Sequence, residues 1–143
     1  MTVKAILSRK GNDVITIEPT VTLSAAVKIL ADHRIGAVVV AGPDRQVAGI
    51  LSERDIVRAL AQRGPGALQE AVGQVMTRRV VTCSESDTVV EIMERMTQGK
   101  FRHLPVVERG RLAGLVSIGD IVKHRLEEME HESNALREYI LTA

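Results

Sequence analysis

One block of this chain occurs twice. Residues 48–57 read Ala-Gly-Ile-Leu-Ser-Glu-Arg-Asp-Ile-Val, and residues 113–122 read Ala-Gly-Leu-Val-Ser-Ile-Gly-Asp-Ile-Val. Six of the ten positions coincide: Ala48/Ala113, Gly49/Gly114, Ser52/Ser117, Asp55/Asp120, Ile56/Ile121 and Val57/Val122. Upstream, Val14-Ile15-Thr16 aligns with Val80-Val81-Thr82, Thr22-Leu23 with Thr88-Val89, and the run Ile35 to Val40 with Phe101 to Val106. The offset changes from 66 to 65 between these blocks, which puts a one-residue length difference in the turn from Gly42 to Gln46. A repeat of this kind demands one supersecondary unit built twice.

Within each copy the pattern reads strand, helix, strand, strand, helix. Val14 to Ile17 is short and β-branched and ends at Glu18-Pro19. Thr22 can cap a helix whose Leu23, Ala26, Val27 and Leu30 follow the 3.6-residue period. Ala37 to Ala41 is continuously apolar, as in a strand covered on both faces. Gly42-Pro43-Asp44 supplies a turn, Val47 to Leu51 a return strand, and Ser52 the start of a second helix. The second copy repeats this from Val80, with helices beginning near Asp87-Thr88 and at Ser117. Ala59 to Ala71, centred on Gly64-Pro65-Gly66, reads as a linker. The expected fold is therefore α/β (α+β), with two β-α-β-β-α copies. Residues 1–66 form the first copy with an N-terminal segment, 67–125 the second, and 126–143 a helical tail. A unit of about 60 residues buries little surface alone. The two copies are thus expected to pack sheet to sheet about a pseudo-twofold axis, leaving two clefts between them.

Bulk properties remove several function classes. A net charge of +1 and only two aromatic residues, Phe101 and Tyr139, argue against nucleic acid as the main partner. No apolar window reaches membrane-spanning length, and the first nine residues lack a signal-peptide core, so a soluble cytoplasmic protein is expected. Cys83, the single cysteine, forbids an internal disulfide and reads as a buried inert thiol. The four histidines show no metal spacing, and His124 and His131 read as solvated. There is no Gly-x-Ser-x-Gly elbow and no Walker-type loop, so no reaction is proposed.

The duplicated Gly-Ile-Leu-Ser-Glu-Arg-Asp and Gly-Leu-Val-Ser-Ile-Gly-Asp segments each run a strand into a helix N-terminus. Such an end offers free N–H groups and a positive dipole, which suit phosphate. The carboxylate of Asp55 or Asp120 suits a ribose diol instead. Ser-x-x-Asp also reads as a capping box, worth on the order of 1 kcal/mol. The two roles are compatible.

The repeat with this motif resembles the CBS domain, named for cystathionine β-synthase, in the tandem arrangement called a Bateman module. The resemblance runs from about Val3 to Lys123, and Val72 to Thr77 is similar to the segment that introduces a CBS repeat, with Val3 to Ser8 a weaker counterpart. It implies binding of AMP, ADP, ATP, S-adenosylmethionine or NAD(H) in the clefts. It further implies that Asp55 and Asp120 hold ribose, that Ser52 and Ser117 lie near phosphate, and that Thr16 and Thr82 line the adenine pocket. Basic residues before the central strand hold phosphate in the family, which points to Arg102 and His103, with Lys100 beside them and Arg54 a weaker candidate. Ile35, Ala37 and Val38 complete the expected site. The first copy has Arg34, Gly36 and Ala37 where the second has Lys100, Arg102 and His103, so the two clefts should differ. The chain looks like a stand-alone bacterial sensor, non-catalytic, needing no metal, and signalling to an unknown protein target. The alternative is an adaptor that binds protein without obligatory nucleotide.

The end of the chain carries a separate pattern. Val122, Leu126, Met129, Leu136 and Ile140 form a spaced apolar stripe, with Glu127, Glu128, Glu130 and Arg137 off it. Such a helix either packs against a second module, giving a homodimer, or is a frayed solvated end.

Overall fold

The computed structural model describes residues 1–142. An N-terminal helix, α1 (Val3–Lys10), leads to the first copy: β1 (Thr16–Ile17), α2 (Leu23–His33), β2 (Ala37–Ala41), β3 (Val47–Ser52) and α3 (Glu53–Arg63). The second copy contains α4 (Val89–Gly99), β4 (His103–Glu108), β5 (Arg111–Ser117) and α5 (Ile118–Thr142). The result is a mixed α+β fold with two small sheets, ordered β1-β2-β3 and β4-β5.

The copies match closely in detail. Thr22 and Thr88 cap α2 and α4, each accepting from the N–H three residues on. Both hairpins are antiparallel and shift register at equivalent places, between Val40 and Ala41 and between Val106 and Val107. The length difference lies in the connecting turns: Gly42 to Gln46 against the tighter Arg109-Gly110, both in the left-handed region.

Two expectations needed correction. The first strand is shorter than Val14 to Ile17, pairing only Thr16 with Val39 and Ile17 with Val40. In the second copy it shrinks to a single bridge between Cys83 and Val106. Pro105 stands where the first copy has Val39, and a proline has no N–H to give the ladder, so only Cys83 N–H to Pro105 O and Val107 N–H to Cys83 O remain. The linker also starts later than Ala59, because α3 continues to Arg63 with Ile56 and Ala59 buried on one face. Gly64 then ends it at φ 71°.

The buried residues form two cores. Val3, Ile6 and Leu7 of α1 lie in the core with Val89, Ile92, Leu104, Val116 and Ile121. Val72 and Met76 lie in the other core, with Leu23, Val38, Leu51 and Ile56. Each introductory segment thus packs into the copy that does not follow it. The exchange is reciprocal bond by bond. Val3 N–H donates to Asp87 O and Val89 N–H to Met1 O; Val72 N–H donates to Val21 O and Leu23 N–H to Glu70 O. Such pairing is what a pseudo-twofold relation between the copies requires.

Two glycines of the duplicated motif allow this exchange. A Cβ on Gly49 would stand 2.6 Å from Met76 Sδ and 2.7 Å from Thr77 O, and one on Gly114 2.7 Å from Leu7 Cδ2. At Gly49 the opposing Thr77 oxygen is backbone, so only glycine lets the strand approach this closely there.

Candidate ligand-binding cleft

β3 passes into α3 without a loop, and Ser52 and Asp55 hold the junction. Ser52 Oγ accepts from Asp55 N–H at 3.3 Å, while Asp55 Oδ2 accepts from Ser52 N–H at 3.0 Å and from the Ser52 hydroxyl at 3.1 Å. The capping box is therefore complete. It occupies only Oδ2. Oδ1 accepts from the hydroxyl of Thr77 at 3.2 Å, and Thr77 is exposed. A ligand hydroxyl can take that place with the same donor chemistry, so capping and binding use different oxygens of one carboxylate.

A cavity of about 430 Å³ opens around this junction, within the size range of small-molecule sites. The first copy contributes Gly36, Ala37, Ile50, Ser52 to Asp55 and Arg58; the second contributes Lys100 to His103; the segment between them contributes Thr77. Four permanent cations, Arg54, Arg58, Lys100 and Arg102, face two carboxylates, Glu53 and Asp55. The excess, together with the N-terminus of α3, favours an anionic group. His103 is half-buried, and that burial, with Lys10 and Arg102 nearby, moves its pKa below the ordinary histidine value. It is therefore a neutral hydrogen-bonding group near pH 7.

The second motif is built alike but differently occupied. Asp120 Oδ2 accepts from Ser117 N–H at 2.9 Å, and Ser117 Oγ accepts from Asp120 N–H at 3.2 Å. Here Lys10, at the end of α1, donates to Asp120 Oδ2 at 2.6 Å and to Leu115 O at 2.9 Å. Burial raises the Asp120 pKa, but the Lys10 ammonium and the Ser117 amide outweigh it and the net shift is downward. A neutral hydroxyl covers Asp55; a cation covers Asp120.

These sequences match the family model "CBS domain" twice, over residues 3–62 and 72–127. The chain belongs to the CBS-domain family. Among curated relatives, the mitochondrial CBS domain-containing protein CBSX3 of Arabidopsis thaliana is 36% identical over 123 residues, 83% of this chain and 60% of that protein. The chain thus spans less than two thirds of that relative. A CBS-domain-containing protein from Agrobacterium tumefaciens superposes with a TM-score of 0.83 at 51% identity, covering 87% of this chain and 92% of the other. The CBS domain pair of MJ0100, solved with 5′-methylthioadenosine and S-adenosyl-L-methionine, gives 0.79 at 28% identity over 90% and 98%.

The CBS pair brings together Ser52, Arg54, Asp55, Ala37, Lys100, Arg102 and His103 from the set legible in the sequence. It leaves others apart. Thr16 lines a different cavity, with Glu18, Gly42 and Arg45, and Thr82 is exposed beside Cys83. Val38 is fully buried in the first core and offers no surface to a ligand, and Ile35 is packed against that core. Ser117 and Asp120 lie outside the cavity that holds Asp55. Six lining residues escaped the sequence reading: Gly36, Ile50, Glu53, Arg58, Thr77 and Phe101. Arg58 stands one helical turn beyond Asp55 on α3, so the 3.6-residue period could have found it. Thr77 and the covering Lys10 carry no local signal, because the exchange of segments alone brings them there.

Elsewhere Cys83 is buried, and burial with nearby Asp87 pushes its thiol up to about 12. His124 corrects an expectation: it is buried, with Nδ1 3.0 Å from Met1 Sδ, because α5 packs on the N-terminus. His131 is exposed. No group of three or more His, Cys, Asp or Glu among the described residues is placed to hold a metal ion. No described helix is long and apolar enough to cross a membrane.

Proposed function

We propose that this CBS pair is a non-catalytic sensor that binds an adenine nucleotide (AMP, ADP, ATP or NAD(H)) in the cleft at Asp55. The observation that carries the reading is the convergence of Asp55 and four cations from both copies on one cavity. Asp55 Oδ1 would accept from the ribose diol in place of Thr77, and Arg102, Lys100 and Arg58 would take phosphate, Arg102 in a charge-assisted contact. The adenosine-containing ligands of the MJ0100 pair support the choice of ligand class. Because the cavity is lined by both copies, a ligand that fits one relative orientation better shifts the pair toward it. A cytoplasmic chain that forms a homodimer and signals to a protein target completes the reading.

A thermal-shift panel of AMP, ADP, ATP, NAD, NADH and S-adenosylmethionine tests it. A ligand at 100 times its dissociation constant stabilises the fold by about 2.7 kcal/mol. That corresponds to roughly 8 °C for a chain of this size. No shift with any of them would turn the reading toward an adaptor that works through its surface.

A further inference from the structure

The outer face of α5 carries an apolar stripe that nothing among the described residues covers. Val122 is 43% exposed, Leu126 59%, Met129 50%, Leu136 60% and Ile140 65%. The opposite face is docked: Ile121 and His124 are buried, Glu127 pairs with Arg9, and Glu128 with the N-terminal ammonium. At 25 residues α5 is about 37 Å long, and none of its described residues beyond His124 is buried.

The spacing along this face is that of a coiled coil. Val122, Leu126, Met129, Ser133, Leu136 and Ile140 are separated by alternating steps of four and three, the 3.5-residue period of a and d positions. Ser133 is the only polar member. The flanking e positions are Lys123, Glu130 and Arg137, and the g positions Arg125, Glu132 and Tyr139. Among the described residues, Arg125, Glu130, Glu132 and Arg137 take part in no ion pair within the chain.

These charges select the occupant and its direction. In a parallel pair of α5 helices, each g residue faces the e residue five positions on in the other copy. Arg125 then meets Glu130 and Glu132 meets Arg137, and symmetry makes both pairs twice. An antiparallel pair centred on the same seam sets Glu130 against Glu130, Glu132 against Glu132 and Lys123 against Arg137. Every one of those repels. We infer that α5 docks on α5 of a second copy as a parallel, in-register two-stranded coiled coil. This deepens the homodimer reading above by naming its surface, and it does not depend on nucleotide.

Sedimentation of the full chain tests it, with far-ultraviolet circular dichroism to verify folding. The wild type is expected to be dimeric. R137E sets a second carboxylate against Glu132 at both symmetric contacts and should weaken the dimer by roughly tenfold or more. The exchange E132R/R137E restores opposite signs and should recover it. L136C should form an interchain disulfide on mild oxidation, since position 136 meets itself only in the parallel register and Cys83 is buried. A dimer indifferent to R137E, or an L136C dimer that does not cross-link, overturns the coiled coil while leaving a homodimer through another surface. A monomeric wild type overturns both.

Discussion

Replacing Lys10 with methionine asks whether the second motif is closed by the chain itself. The ammonium makes two contacts, 2.6 Å to Asp120 Oδ2 and 2.9 Å to Leu115 O. The Lys10 side chain is 37% exposed and that of Asp120 24%, so solvent screening holds the ion pair to at most about 1 kcal/mol. The carbonyl contact is largely replaced by water when lost. Lys10→Met should therefore lower the melting temperature by only about 3 °C at pH 7. The pH dependence has a definite sign. Asp120 has a lowered pKa in the folded state, so its contribution is present above its unfolded value, about 3.9, and disappears as pH falls through the lower folded value. Wild type and variant should thus differ at pH 7 and converge well below pH 4. The variant also uncovers Asp120, and titration calorimetry with an adenine nucleoside should rise from one site per chain to two. Two sites in the wild type, or an unchanged single site in Lys10→Met, would refute the idea that Lys10 stands in for a ligand.

Simpler measurements probe other contacts of the fold and cleft. Gly49→Ala forces a methyl into the backbone carbonyl of Thr77 and should cost roughly 1–3 kcal/mol in chemical denaturation. Gly66→Ala, which meets open space, should be neutral and serves as the control. Arg102→Ala should weaken nucleotides in proportion to their phosphate charge and leave a phosphate-free nucleoside little changed; equal loss for both would assign Arg102 a structural role. Cys83, with its pKa near 12 and its burial, should react with a thiol reagent only on unfolding. Rapid labelling of the native chain at pH 7 would count against that placement.

The repeat made the fold legible, because two copies of one pattern share strands, caps and turn positions. The limits of that legibility are physical. Pro105 looks like part of a strand, and it is, yet its missing N–H removes the neighbouring strand that Thr82 was expected to occupy. The exchange of introductory segments was invisible because Val3 to Leu7 and Val72 to Met76 carry ordinary apolar spacing with no mark of which core receives them. Half the candidate cleft was legible for the opposite reason. Ser52, Asp55, Arg102 and His103 are local signals, read within a few residues of their own strand and helix ends. Thr77 and Lys10 reach the two motifs only through tertiary packing. His124 looks solvated in the sequence because periodicity places it on a helix but cannot show that Met1 covers that helix.

The central claim is one adenine nucleotide per chain, held by the free oxygen of Asp55. Titration calorimetry of wild type and Asp55→Asn tests it most directly, since an asparagine oxygen can still accept from Ser52 N–H and keep the cap, while its amide cannot replace the second carboxylate oxygen. One site per chain is expected in the wild type, with a loss of about tenfold or more, some 1.4 kcal/mol, in a variant that remains folded. Equal affinity in the two proteins would contradict it.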